Sequence, residues 1–337
     1  MADCHLTRAG LAGKRIDAHS HVGVYLKAYL CGEFPYAQSL EGLSCMQQAH
    51  GVDVNVIFPF GPELYFDVQK MIAGSAVPAA EPVSPVPYAA ENALLMRELF
   101  DCCPELKGRF LPFVCADPGR LVDAQLDAIR RLEADYPIYG IKISPVLCQM
   151  PVTRLLDEGR PLVDFARSRD IPILLHTTAD PRETFSHARL VFQVVEANPQ
   201  VRFCLAHSIA FHRGYLDRAA RMDNVWVDTS AATIQVQLAR ENSLLIAAGP
   251  DRFDADYSDH RRVVKGLVDS YPETILWGSD APAYSYIVRR RQGEGPDDFE
   301  DFRLKATYED EVAALDLLTD EQRRAVTNTN TLKFLFG

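Results

Sequence analysis

Short apolar runs alternate with longer amphipathic stretches along the whole chain. The runs are Lys14–His21, Val52–Pro59, Arg109–Ala116, Ile138–Ser144, Ile171–Thr177, Val201–Ser208, Asn224–Thr229 and Thr274–Asp280. Helical stretches fall between them, around Glu41–His50, Ala89–Cys103 and Arg120–Ala134; in the last, Leu121, Leu126, Ile129 and Leu132 keep helical spacing. Strands that are apolar throughout are buried on both faces, and helices between them imply a parallel sheet. Eight such units predict an α/β fold that closes on itself, a (β/α)8 TIM barrel. An open doubly wound sheet is the other arrangement, but no Gly-x-Gly-x-x-Gly follows any run. The Pro- and Ala-rich segment Ala73–Pro87 lies between the second strand and its helix and reads as a mobile loop. Residues after Ala281 predict a C-terminal helical extension, with a loop at Gly293–Asp298 and helices at Tyr308–Leu318 and Glu321–Val326. The expected organisation is one domain spanning 1–337.

Composition narrows the partners. Of 337 residues, 47% are apolar, enough for a large core, and the net charge of −11 argues against nucleic acid, which needs basic patches. Arg289, Arg290 and Arg291 form a tight basic cluster that reads as a solvated stretch of loop. The eight cysteines include no Cys-x-x-Cys pair, and Cys45, Cys115 and Cys204 sit in apolar surroundings as small hydrophobes. No signal-peptide pattern opens the chain and no run reaches membrane-spanning length. The expectation is a cytoplasmic protein with a small-molecule substrate, no membrane or nucleic-acid partner, and a homodimeric assembly.

The ends of the apolar runs carry the candidate chemistry. His19 and His21, Lys142, His176, His207 and Asp280 each close a run, and strand ends are where a barrel places its reactive groups. In His19-Ser20-His21 the two imidazoles share one face of an extended chain and can reach one cation. A single histidine after an apolar run is usually a core residue, but this recurrence at successive strand ends points to a metal site.

The same segments carry a resemblance. DAHSHVG at 17–23, GVDVNVIFPF at 51–60, GIKISP at 140–145, ILLHT at 173–177, CLAHS at 204–208, WGSDAP at 277–282 and the closing TNTNTLKFLFG span the chain. Together they resemble the amidohydrolase superfamily of metal-dependent barrels, in the branch of the amidohydrolase-2 proteins and the carboxymuconate-semialdehyde decarboxylase-like enzymes. The resemblance implies that His19, His21, His176 and Asp280 hold one divalent cation, expected to be Zn2+. Asp280 would act as the base towards an activated water, and His207 would orient that water or stabilise an oxyanion.

Lys142 stays open between three roles: a carboxylated bridge between two metals, as in some members of the superfamily though commonly not in this branch, a substrate-anion ligand, or a buried ion pair. Ser144 stands where the branch often has histidine. Asp228 is read as pairing with a nearby lysine or arginine, and Asp17 as satisfying a hydrogen bond at the barrel floor. Arg182, His212 and Arg213 follow strands five and six and are candidates for a substrate carboxylate; Tyr25 and Tyr284 are candidates for the pocket wall. The implied activity is metal-dependent hydrolysis of an amide, lactone or ester of a small, carboxylated molecule. The alternative is non-oxidative decarboxylation of an aromatic or dienoic carboxylate. Some of those decarboxylases carry glutamate where this chain has Asp17, which tilts the reading towards hydrolysis.

Overall fold

The computed structural model describes residues 5–291, 295 and 299–337. All eight apolar runs are strands: β1 (Ile16–Val24), β2 (Val54–Pro59), β3 (Phe110–Cys115), β4 (Gly140–Ile143), β5 (Ile173–Leu175), β6 (Phe203–Leu205), β7 (Val225–Asp228) and β8 (Ile275–Leu276). Each pairs in parallel with the next. Backbone bonds between the two outermost members close the ring: the Ala18 amide donates to Trp277 O at 3.0 Å and the Asp280 amide to His19 O at 2.8 Å. Gly278 permits that closure, because a Cβ there would lie 2.8 Å from His19 Cβ. Gly140 answers a similar demand in β4, where a Cβ would meet the Phe113 ring at 2.3 Å.

The pleat sorts each strand into two layers. Outward residues such as Ile57, Val114, Ile141, Ile173, Leu175 and Val227 pack under the helices. Inward residues such as Val54, Val56, Leu111, Phe113, Leu174, Cys204, Trp226 and Leu276 fill the lumen. The terminal helix Asn330–Phe336 closes the lumen from below. Phe334 sits 6.4 Å from the Phe113 ring and 6.0 Å from Trp226, and Arg202 Nε donates to Phe334 O at 2.8 Å.

Several expectations are corrected. The extension is not helical throughout: Tyr286–Arg291 and Phe299–Leu304 form an antiparallel hairpin that carries the backbone of the arginine cluster. Gly293–Asp298, apart from Gly295, lies outside the described residues. The first helix after the hairpin is shorter than expected, Tyr308–Ala313, and the second begins at Asp320. Ala73–Pro87 has no helix or strand but is tied down, with Val77 O accepting from Asp67 and the Ala76 amide donating to Gln149 Oε1. Cys45 is exposed on the helix Leu40–Ala49, whereas Cys115, Cys148 and Cys204 are buried. No helix among the described residues is long and apolar enough to cross a membrane.

Candidate active site

The register of β1 shifts between Asp17 and Ser20, a bulge that changes which side chains face inward. Below it, Ile16 and Ala18 belong to the lumen; above it, His19 and His21 turn in against Phe58, at ring distances of 5.0 and 4.7 Å. Asp17 therefore does not share their face. It lies in the outer layer, where it accepts hydrogen bonds from the Ser279 amide at 2.9 Å, Asn55 Nδ2 at 3.0 Å and the Tyr308 hydroxyl at 3.2 Å. Asp17 thus braces the β1–β8 seam, not the floor.

Asp280 is the hub of the upper lumen. Its Oδ1 lies 3.2 Å from His19 Nε2 and 3.3 Å from His21 Nε2, and its Oδ2 lies 3.8 Å from His207 Nδ1. Neither of the two close nitrogens is aligned as a hydrogen bond, so the buried Oδ1 has none. Burial alone would raise the Asp280 carboxyl, but the adjoining histidines hold it well below the usual range. Ligand atoms of His19, His207 and Asp280 all lie within 4.8 Å of one another.

The other expected groups adjoin this centre. His176 Nδ1 meets His207 Nε2 at 3.0 Å, so His207 stands closer to Asp280 than the resemblance implied, with His176 behind it. Burial pushes His21 down to about 4 and lowers both His176 and His207, which keeps these imidazoles neutral and fit to be ligands. Lys142, 1% exposed, places Nζ 3.3 Å from His19 Nε2 and 4.9 Å over the Phe58 ring. Burial lowers its ammonium.

The role read for Asp228 is overturned. Among the described residues it forms no ion pair with a lysine or arginine; its Oδ2 meets His19 Nδ1 at 2.9 Å, and its Oδ1 accepts from the His207 amide at 3.1 Å and from Ser230 Oγ. Ser230 Oγ in turn meets His207 Nδ1 at 2.9 Å. A carboxylate on the far nitrogen of a histidine fixes its tautomer and aims the other nitrogen, the usual arrangement behind a metal-binding imidazole. Sequence reasoning gave Asp228 only a structural pairing, although it closes an apolar run as Asp280 does, and missed Ser230.

Backbone conformation marks the same places. His207 and Asp280 have φ of 61° and 64°, and Ser208 to Phe211 continue at 49–58°. Left-handed backbone costs a non-glycine residue about 1–2 kcal/mol, and such strain clusters at functional sites.

A cavity of about 280 Å3 opens above the cluster, lined by His21, Lys142, Ser144, His176, His207 and Asp280 together with Tyr25, Phe34, Phe60 and Leu147. Tyr25 thus stands in the wall as expected. Tyr284 does not: it packs against Tyr308 and its hydroxyl points to Met46 Sδ. Arg182 is clamped by Asp180 at 2.7 Å, His212 packs on Tyr215 at 4.2 Å and Arg213 reaches Arg252 O. None of these three lines the cavity, and Arg213 opens the helix Arg213–Ala219 with His212 at its N-terminal flank.

A divalent cation fits this centre. It offers imidazole nitrogens and a carboxylate without thiolate, a buried carboxylate oxygen lacking a hydrogen bond, and an open side facing the cavity.

Comparison with known proteins agrees with the architecture. An amidohydrolase from Burkholderia multivorans has a TM-score of 0.62 at 12% identity, covering 96% of this chain and 99% of that one. A 5-carboxyvanillate decarboxylase from Novosphingobium aromaticivorans, with bound manganese, has a TM-score of 0.58 at 14% identity, covering 98% and 99%. A probable 2-pyrone-4,6-dicarboxylic acid hydrolase from Acinetobacter baumannii has a TM-score of 0.54 at 12% identity, covering 96% and 99%. No curated protein matches the chain. The amidohydrolase family, by contrast, matches residues 16–337, from the first residue of β1 to Gly337, just past the helix that closes the floor, and the chain belongs to that family.

Proposed function

We propose that the protein is a metal-dependent hydrolase of a small, carboxylated amide, lactone or ester. The observation that carries this reading is the Asp280 carboxylate, buried among His19, His21 and His207 with one oxygen lacking a hydrogen bond and the cavity above it. One zinc ion per chain, held by His19, His207 and Asp280 with His21 beside the same carboxylate, would polarise the scissile carbonyl or the attacking water. Asp280 accepts the proton of that water through its carboxylate and returns it to the leaving group. Asp228 holds His19 through Nδ1, so that imidazole keeps Nε2 aimed at Asp280, while Ser230 and His176 fix the His207 ring from its two nitrogens. His176, at the cavity surface, donates to developing oxyanion charge. Lys142, which lines the cavity beside His19, supplies a cation for the substrate carboxylate.

Decarboxylation is the second reading. The aromatic and aliphatic walls around Lys142 suit an aromatic carboxylate equally, and one similar structure is that of a 5-carboxyvanillate decarboxylase.

The test begins with elemental analysis of protein purified without chelator, followed by assay of lactones, amides and hydroxybenzoates with Zn2+ or Mn2+. About one metal per chain and hydrolysis lost on chelation support the proposal. Release of CO2 with no hydrolytic product selects the second reading, and failure to retain any metal overturns both.

A further inference from the structure

Beside the metal cavity lies a second one of about 570 Å3. It sits between the upper ends of β1 and β2 and the helix Ala89–Arg97, and Phe60 lines both cavities. The Phe60 ring stacks on His21 at 4.8 Å and on Tyr25 at 5.7 Å, forming the partition between them. Most of the second wall is apolar: Val22, Leu26, Leu64 and Leu95 contribute to it.

Three acids and an arginine interrupt this wall; Glu98 accepts from the Leu40 amide at 3.2 Å and Arg97 stands at the same rim, which leaves Glu63 and Glu91 as the acids to account for. Glu63 is only 5% exposed and Glu91 is half-buried, and both line the cavity. Among the described residues, Oε1 of Glu63 and Oε2 of Glu91 are buried without a hydrogen-bond partner. The remaining oxygen of Glu91 accepts from the Leu64 amide at 3.0 Å, which ties it to the segment carrying Glu63. Neither acid lines the metal cavity, and among the described residues neither is held in an ion pair, Lys27 acting on Glu63 only as a nearby charge. A buried carboxyl without donors is costly and is normally paired. The shortage shows in their protonation, which burial pushes up to about 8 for Glu63 and about 7 for Glu91.

We propose that this cavity binds an organic cation, an alkyl- or arylammonium whose N–H groups complete Glu63 and Glu91 while its apolar body fills the space between Leu26, Leu64, Leu95 and Phe60. A metal ion suits the place poorly. The two acids belong to no group of three ligand residues among the described residues, and the apolar walls give hydrated ions nothing to bind.

Titration calorimetry of the full chain with benzylammonium, and with benzyl alcohol as its neutral counterpart, tests this. Benzylammonium is expected to bind one per chain, and benzyl alcohol at least about ten-fold more weakly, as loss of a charge-assisted hydrogen bond implies. Glu63→Gln and Glu91→Gln should each weaken benzylammonium by a similar factor, and Asp280→Asn should leave it unchanged. Equal binding of the alcohol, or wild-type affinity in both glutamine variants, would overturn the proposal. So would loss of binding in Asp280→Asn alone, which would place the cation in the metal cavity. If Glu63→Gln fails to fold, Glu91→Gln and the charged-against-neutral comparison on the unaltered protein decide the matter.

Discussion

The floor and the mouth of the barrel are built from the same strands and the same inward face, yet they share almost no chemistry. At the floor, Val54, Leu111, Leu174, Trp226 and Phe334 exclude water and make no polar demand. One or two pleats higher, His19, Lys142, His207, Asp228 and Asp280 are also buried and hold one another, except that Asp280 Oδ1 keeps no hydrogen bond. The lower half obtains stability from area removed from water. The upper half uses that rigidity to hold charges where they would otherwise be expensive. A change at the floor should therefore alter folding and leave chemistry per folded molecule intact, while a change at the mouth should do the reverse.

Asp280→Asn should cut turnover by about 10²–10⁴-fold, with the thermal transition preserved; steady-state rates beside a melting curve check both. An unchanged rate would dissolve the distinction at its strongest point. Phe334→Ala should cost about 3–5 kcal/mol by urea unfolding, with metal content per folded chain unchanged. Asp228→Asn tests the boundary, since it removes the partner of His19 Nδ1. It should weaken metal affinity by about 10–100-fold in a competition titration with a chelator, with a smaller change in turnover once the site is saturated.

Glu63 sharpens the comparison from outside the lumen. Its carboxyl, pushed by burial from 4.5 to about 8, stays protonated in the folded chain where the unfolded chain has ionised. The folded state then binds more protons, so its contribution to stability is complete below pH 4.5 and declines as pH rises through about 8. Urea midpoints should fall across that interval, and Glu63→Gln should flatten the decline. Tyr284→Phe is the smallest test: among the described residues its hydroxyl meets only Met46 Sδ, so both stability and turnover should stay within about 0.5 kcal/mol of the parent.

Much of this division is legible in the chain. The strands announce themselves because a strand covered on both faces must be apolar nearly throughout, and a polar residue ending such a run has the lumen mouth as its place. What the pattern hides is phase and partnership. The bulge in β1 puts His19 in the lumen and Asp17 in the outer layer, although alternation assigns them one face. Asp228 meets His19 across 209 positions of sequence, and no local spacing announces such a pair. The hairpin Tyr286–Arg291 with Phe299–Leu304 escaped because its charged strands lack an apolar signature. Arg182, His212 and Arg213 were placed by order along the chain, which says nothing of the direction in which a loop leaves its strand.

Phe60 gives the protein a size limit. The ring divides chambers of about 280 and 570 Å3, so a molecule reaching the histidines must fit the smaller one alone. Shortening this one side chain would join the two into one long trough, and would take from His21 the ring on which it rests.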